Sequence, residues 1–171
     1  HLLVEEIDEH AVVLNSGCIC CTVRDDLVTA IRDLLKRRAA GTVPPFRRIL
    51  IETTGLADPA PIIHTLMADF VLASHTRLDG IVTTVDAVHG AGQIDTHEEA
   101  LKQAAVADRL VMTKTDLADP AALEALKARL RRLNPAGTQV LSDHGDAPPA
   151  LLFGAGLFDT TGKNENVARW L

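Results

Sequence analysis

Three cysteines stand within four positions near the start of the sequence, at Cys18, Cys20 and Cys21. Thr22 follows them, with Asp25 three residues further on, a pattern typical of the N-terminal cap of a helix. In extended backbone Cys18 and Cys20 would project to the same side, and the positive end of the following helix would favour thiolates. Thiolates bind Zn²⁺, Co²⁺ or Cu(I), so the cluster predicts a metal site. A redox pair and three small buried side chains are the alternatives.

A second candidate lies where the predicted strand at 48–51, an arginine followed by three aliphatic residues, ends in Glu52-Thr53-Thr54-Gly55. A buried strand that delivers a carboxylate and is followed by a glycine has the shape of a Walker B strand with its switch segment. Such a carboxylate serves the water shell of Mg²⁺, and the glycine N–H can approach a γ-phosphate. An ordinary buried strand that ends in an acid and a turn glycine is the alternative.

A third candidate, Thr113-Lys114-Thr115-Asp116, directly follows the apolar run 110–112 and resembles the guanine-reading N/T-K-x-D element of GTPases. The aspartate can accept hydrogen bonds from N1 and N2 of guanine, whereas adenine presents an acceptor in place of a donor, which leaves the carboxylate unpaired. The lysine stem can pack along the base while its ammonium reaches the phosphates. The alternative is that Asp116 caps a helix.

Short apolar runs alternate with helical patterns along the chain. The runs predict strands at 11–15, 48–53, 79–86, 109–114 and 139–142. A first helix is predicted to start at Thr22 and to end before Gly41. A second is predicted to follow the cap Asp58-Pro59, and two more cover about 98–107 and 120–133.

Strands that alternate with helices predict an α/β fold, a mostly parallel sheet with helices on both faces. Ligands of such folds bind beyond the carboxyl ends of the strands. The candidate residues Gly55, Asp116 and Ser142 fall at those predicted ends. Asp86 closes another predicted strand and is expected either to face a nucleotide or to cap a helix.

The charge, the length of the apolar runs and the cysteine content of the chain indicate which partners and which compartment to expect. The 171 residues carry 17 basic and 23 acidic side chains and a net charge of −6, so no nucleic-acid partner is expected. The apolar runs are much shorter than the roughly 18 residues of a membrane helix, so no membrane partner is expected either. An odd, crowded set of cysteines is typical of metal or reactive chemistry in a reducing compartment, which indicates the cytoplasm.

Residues 13–24, 51–59 and 113–116, taken together, resemble the CobW/HypB/UreG-type GTPases, and in particular the CobW branch. The resemblance covers most of 11–145 and keeps the order of the motifs. It implies a P-loop NTPase core of the SIMIBI class, with GTP, Mg²⁺ and Zn²⁺ or Co²⁺ as ligands. The roles it implies are metal binding by Cys18, Cys20 and Cys21, the magnesium site for Glu52, the γ-phosphate for Gly55, guanine for Thr113, Lys114 and Asp116, and a later base-contacting loop for Ser142.

The family's first motif, G-x-x-G-x-G-K-[ST], cradles the phosphates, and no segment of the sequence matches it. The run Thr-Gly-Lys-Asn at 161–164 lacks the first glycine and has Asn where Ser or Thr should follow the lysine. We therefore expect the phosphate loop and the first strand of the core to precede residue 1, and a smaller C-terminal domain to follow residue 171. The corresponding division is a truncated nucleotide-binding domain at 1–150 and a linker at 151–171.

The sequence thus predicts a cytoplasmic metal-handling GTPase that couples GTP hydrolysis to the transfer of zinc or cobalt to a client metalloprotein. The 171-residue segment by itself is expected to bind GTP poorly and to be inactive. The oligomeric state stays open, with a homodimer among the alternatives. A metal-storage or thiol-redox module that binds no nucleotide is the competing hypothesis.

Overall fold

The computed structural model describes residues 19–142 and 144–171, with side chains from residue 26 onward. This part of the chain folds into two compact units. The first unit holds the described residues up to Glu52 together with Pro61–Arg77. The second holds Thr53–Ala60 together with Leu78–Leu171. Glu52 therefore belongs to the first unit, whereas Gly55 and the later candidate residues belong to the second.

Helices and strands alternate through most of the described residues. In chain order they are α1 (Ile19–Ala39), α2 (Pro59–Ala68), α3 (Phe70–His75), β1 (Val82–Asp86), α4 (Gly90–Thr96), α5 (Glu98–Val106), β2 (Arg109–Thr113), α6 (Pro120–Leu133), β3 (Thr138–Leu141), α7 (Pro149–Leu152) and α8 (Val167–Trp170). Helices lie between successive strands, as the crossovers of a parallel sheet require.

The three strands form one parallel sheet in the order β1-β2-β3. Asp86 pairs with Thr113 where β1 and β2 end. Met112 pairs with Leu141 where β2 and β3 end. The carboxyl ends of all three strands therefore lie at one edge of the sheet, and the predicted parallel α/β sheet with flanking helices is confirmed.

Apolar side chains of β1, β2, α4, α5 and α6 form the core of the second unit. Leu110 and Met112 of β2 have no exposed surface, and Val111, which points to the opposite face, is also buried. A strand buried on both faces is typical of parallel sheets in α/β proteins. The core cluster consists of Val85, Ile94, Ala104, Ala107, Leu110, Met112, Leu126 and Leu130.

Helices α1, α2 and α3 build a smaller core in the first unit. Leu27 and Ile31 of α1 and Leu72 of α3 are its buried members, and the two α1 residues belong to the predicted apolar stripe. Arg32 donates to Asp69 over 2.8 Å, and the same carboxylate caps α3 by accepting hydrogen bonds from two backbone N–H groups. Within the described part of this unit, apolar packing and the ion pair between Arg32 and Asp69 thus join α1 to α3.

The predicted strand at 48–53 is wrong, because these residues form no strand in the structure. Leu50 and Ile51 are 69% and 39% exposed, unlike the side chains of a buried strand. A strand is stable only beside a hydrogen-bonded neighbour, and the described residues provide none for this segment. The strand predicted to start at 79 begins instead at Val82, and the strand predicted at 11–15 lies outside the described residues.

The predicted N-cap at Thr22 is also wrong, because α1 begins at Ile19 and contains Thr22. Ile19, Val23 and Leu27 continue the apolar spacing one turn earlier, and threonine inside a helix costs only about 0.7 kcal/mol relative to alanine. The predicted end of the helix is confirmed, since α1 stops before Gly41, which adopts a φ of 69°.

Two other helix predictions agree closely with the structure. Helix α2 begins at Pro59, and the Asp58 carboxylate accepts a hydrogen bond of 2.9 Å from the N–H of Ala60. Helix α6 spans Pro120–Leu133 as predicted, with Leu126 and Leu130 buried. Both starts follow from an aspartate cap before a proline, a local signal that needs no knowledge of the rest of the fold.

Residues 151–171 belong to the second unit. The Lys163 ammonium donates to the carbonyl oxygens of Val106 and Ala107 and to the Asp108 carboxylate at 2.7–3.0 Å. Val167 of α8 has no exposed surface. This segment is therefore anchored on the unit through a buried lysine, while the division into a domain at 1–150 and a linker at 151–171 stays a prediction.

Truncation of Leu130 tests the core of the second unit. Leu130→Ala should lower the free energy of unfolding by about 2–5 kcal/mol, because it removes a fully buried side chain and leaves a cavity. Leu157→Ala, at a residue 73% exposed, should change it by no more than about 0.5 kcal/mol. Urea unfolding followed by circular dichroism measures both, and equal losses would contradict this description of the core.

Candidate functional site

The carboxyl edge of the sheet brings three sequence-predicted segments together. Ala87 donates its backbone N–H to the Thr113 carbonyl over 2.9 Å, which extends the pairing of β1 and β2 beyond Asp86. Ser142 donates its N–H to the Met112 carbonyl over 2.9 Å, which does the same for β2 and β3. The loops after the three strands therefore start side by side.

The Thr113–Asp116 loop leaves β2 through a strained residue. Lys114 adopts a φ of 56°, a left-handed conformation that is uncommon outside glycine. The Lys114 carbonyl accepts the N–H of Leu117 over 3.1 Å, and the Thr115 hydroxyl donates to the Ser142 carbonyl over 3.0 Å. Such a conformation persists only where neighbouring contacts hold it, and here the loop after β3 supplies one of them.

An ion pair joins the ends of β1 and β2. The Lys114 ammonium lies 2.7 Å from Oδ2 of Asp86, while Oδ1 accepts from the N–H groups of Val88 and His89 at 2.8 and 3.0 Å. Burial raises the pKa of the Asp86 carboxyl, but the hydrogen bond from Lys114 and the two N–H donors together outweigh it, so the pKa lies below its usual value. Asp86 thus caps the turn after β1 and holds the lysine of the candidate guanine loop.

Asp116 presents its carboxylate to solvent at the tip of this loop. It is exposed, and no described residue forms a hydrogen bond or ion pair with it. The cap of α6 is Asp119, whose Oδ1 accepts from the N–H of Ala122 over 3.0 Å. The alternative in which Asp116 caps that helix is therefore wrong, and the Asp116 carboxylate remains available for a ligand.

Ser142 contributes to the carboxyl edge of the sheet through its backbone, because the residue is buried and only 2% exposed. Its N–H extends the sheet and its carbonyl holds Thr115. Thr115 occupies the variable position of the motif, so the pattern gave no reason to assign it a role. The contact of Ser142 with a base stays a prediction.

Gly55 lies in an exposed turn of the second unit. The N–H of Ala57 closes this turn on the Thr54 carbonyl over 3.1 Å, and a Cβ at Gly55 would meet no heavy atom of the described residues within 4 Å, apart from its chain neighbours. Glu52, in the first unit, is exposed as well. Their roles toward magnesium and the γ-phosphate stay predictions.

The cysteine cluster falls at the boundary of the described residues. Cys18 lies outside them, and Cys20 and Cys21 lie in the first turn of α1, so the extended backbone assumed for Cys20 is wrong. The N-terminal end of a helix favours thiolates in either arrangement. Among the side chains that the structure describes, no three His, Cys, Asp or Glu groups are placed to hold a metal ion.

Comparison with known proteins places the chain in a family. The model of the CobW/HypB/UreG nucleotide-binding domain matches residues 1–141. The chain belongs to this family. The resemblance read from the motifs is therefore confirmed.

Relatives of this CobW/HypB/UreG chain include zinc proteins. The zinc chaperone YjiA of Escherichia coli K12 is 42% identical over 140 residues, which is 82% of this chain and 43% of YjiA. The zinc-regulated GTPase metalloprotein activator 1 of Schizosaccharomyces pombe is 35% identical over 131 residues, which is 76% of this chain and 31% of that protein.

A solved structure supports the same fold. The crystal structure of the Zn(II)-bound YjiA GTPase from E. coli matches with a TM-score of 0.70 and 37% identity, over 90% of this chain and 44% of that one. The predicted P-loop NTPase type of α/β fold is thus confirmed. The CobW/HypB/UreG chain spans less than half the length of these relatives.

Membrane-spanning helices are absent from the described part of the CobW/HypB/UreG chain, where none is both long and apolar enough to cross a bilayer.

Removal of the Lys114 ammonium tests the ion pair. Lys114→Met should raise the pKa of Asp86, because the pair favours the charged carboxylate. Since the pKa is lower in the folded state, the wild-type pair stabilises the fold above about pH 4, and this stabilisation is lost as the pH falls through the folded pKa. Carboxyl ¹³C titration measures the shift.

Lys127→Met is the matched control, because Lys127 pairs with Glu124 instead. This variant should leave the pKa of Asp86 unchanged. An Asp86 pKa that is the same in Lys114→Met and wild type would contradict the pairing.

Proposed function

We propose that the full-length protein is a metal-binding GTPase that couples GTP hydrolysis to the transfer of zinc or cobalt to a client metalloprotein. The exposed carboxylate of Asp116, which has no partner among the described residues and lies at the carboxyl edge of a parallel sheet, carries this proposal. Membership of the CobW/HypB/UreG family and the zinc named for its relatives support it.

Guanine selection in this proposal depends on Asp116. A carboxylate accepts hydrogen bonds only, so it matches the N1 and N2 donors of guanine and is left unpaired by adenine. Lys114, held at its far end by Asp86, lays an apolar stem beside the base, and Thr113 orients the loop. The hydrogen bond from the Thr115 hydroxyl to the Ser142 carbonyl fixes the loop before the nucleotide binds, which lowers the entropic cost of binding.

Hydrolysis in this proposal uses Glu52 and Gly55. Glu52 offers an exposed carboxylate, the hard oxygen ligand that Mg²⁺ and its waters prefer, and magnesium would neutralise charge that develops on the phosphates. Gly55 offers a backbone N–H to the γ-phosphate from a position that has no side chain and is open around its Cα. Attack by water in line with the leaving oxygen then cleaves the γ-phosphoryl group.

The metal ion is cargo in this proposal, and Cys18, Cys20 and Cys21 hold it as thiolates. GTP binding changes the geometry of the thiolates in the segment that follows Gly17, and hydrolysis then releases the ion to the client. The cytoplasm keeps such thiols reduced. We propose that the full-length protein assembles as a homodimer. The proposed domain division is a nucleotide-binding domain at 1–150 and a linker at 151–171.

Exchange of one atom in Asp116 tests guanine selection. Asp116→Asn should weaken GTP binding by roughly 10- to 150-fold, because a hydrogen bond to a charged group is lost and a donor faces the N2 amine. The same variant should gain affinity for xanthosine triphosphate, which presents a carbonyl acceptor at that position. Fluorescent-nucleotide titration of the full-length protein measures both.

Asp119→Asn is the matched control in the same loop, because asparagine caps a helix about as well as aspartate. It should bind GTP like the wild type. A wild type that binds no GTP, while still binding metal, would instead favour the metal-storage or thiol-redox module.

Coupling of metal and nucleotide is tested by zinc affinity. The full-length protein should bind Zn²⁺ at least about fivefold more tightly with a non-hydrolysable GTP analogue than with GDP, and zinc should raise the ratio of analogue affinity to GDP affinity by the same factor. Competition with a chromogenic chelator measures the first, and the double variant Cys20→Ser/Cys21→Ser should abolish the difference. Equal zinc affinities in the two nucleotide states would remove the coupling.

A further inference from the structure

The turn that carries Gly55 rests on helix α5 through a single amide group. Nε2 of Gln103 donates to the Ala57 carbonyl over 2.8 Å and to the Thr54 carbonyl over 3.2 Å. The N–H of Ala57 also closes the turn on Thr54. Both N–H donors of one side chain thus hold the two ends of the turn, with Gly55 between them.

A second contact fixes the residue that follows this turn. The Lys102 ammonium lies 2.8 Å from the Asp58 carboxylate and 3.1 Å from that of Glu98. The hydrogen bonds that Lys102 donates to the Asp58 and Glu98 carboxylates raise the pKa of Lys102, so the lysine stays charged at neutral pH. Trp170 places its ring 5.8 Å from the same ammonium. Asp58 is thus held by α5 while it caps α2 at Ala60.

Helix α5, which carries Gln103 and Lys102, is itself held in place by β1 and by burial of its C-terminal end. The Thr83 hydroxyl of β1 donates to the Gln103 carbonyl over 2.8 Å. The residues that follow Gln103, Ala104, Ala105 and Val106, are buried. Side chains that are fixed by a packed helix hold a loop more accurately than side chains of another loop do.

We propose that Gln103 and Lys102 are positioning residues that fix the Gly55 turn on α5, so that the Gly55 N–H is preorganised for the terminal phosphate of a nucleoside triphosphate. No described residue accepts a hydrogen bond from this N–H, and Gly55 is exposed. This inference rests on the proposed function, because the ligand of Gly55 is the γ-phosphate of GTP.

The proposal makes a prediction that a purely structural role does not. GDP has no γ-phosphate, so fixing the turn should strengthen binding of a GTP analogue and leave GDP binding unchanged. A variant that only destabilises the domain weakens both nucleotides together. The dissociation constant of GDP divided by that of the GTP analogue therefore reports the positioning role alone.

Gln103→Glu is the sharpest variant, because a carboxylate has the shape of the amide but cannot donate to the two carbonyls. It should weaken the non-hydrolysable GTP analogue by roughly tenfold, about the effect of one hydrogen bond to a charged group, and leave GDP unchanged. Gln93→Glu, at an exposed residue of α4, is the matched control and should change neither constant. Fluorescent titration of the full-length protein measures them.

Lys102→Met keeps the test decisive if Gln103→Glu does not fold. Lys102→Met should also weaken binding of the GTP analogue while leaving GDP binding unchanged. Lys102→Arg should restore binding of the analogue, because arginine can still pair with Asp58. If both nucleotides weaken equally, or neither changes, the positioning role is wrong and the proposed function stands. If the wild type binds neither GDP nor the analogue, the proposed function fails and the positioning role fails with it.

Discussion

The parallel register between β1 and β2 is the constraint on which the rest of the site depends. Because Asp86 pairs with Thr113, the acid that ends one strand stands beside the loop that leaves the next. The ion pair between Asp86 and Lys114 follows directly from this register. A shift of one residue would turn every side chain of the strand to the opposite face and separate the pair.

Buried polar contacts at the C-terminal end of α5 support this arrangement. The last carbonyls of a helix lack partners within it. Here Asn134 donates to the carbonyls of Ala104 and Ala107, and the Lys163 ammonium donates to those of Val106 and Ala107. The lysine of the run Thr-Gly-Lys-Asn therefore holds the helix that supports the Gly55 turn, and this explains its burial without a phosphate.

Local signals allowed much of the fold to be predicted from the sequence. The cap and proline at Asp58-Pro59 set the start of α2, and the apolar runs set the three strands of the sheet. The segment 48–53 has the composition of a strand but lacks a described neighbour, which a local pattern cannot reveal. Gln103 and Lys102 carry no motif, and their contacts cross more than 40 residues of chain, so only the structure could identify them.

The structure of the full-length protein bound to GDP would test the central claim most directly, namely that the carboxyl edge of the sheet reads guanine. We expect both carboxylate oxygens of Asp116 to lie roughly 2.7–3.2 Å from N1 and N2 of the base, with the Lys114 stem alongside it. A guanine bound away from this loop, with Asp116 still facing solvent, would contradict the account.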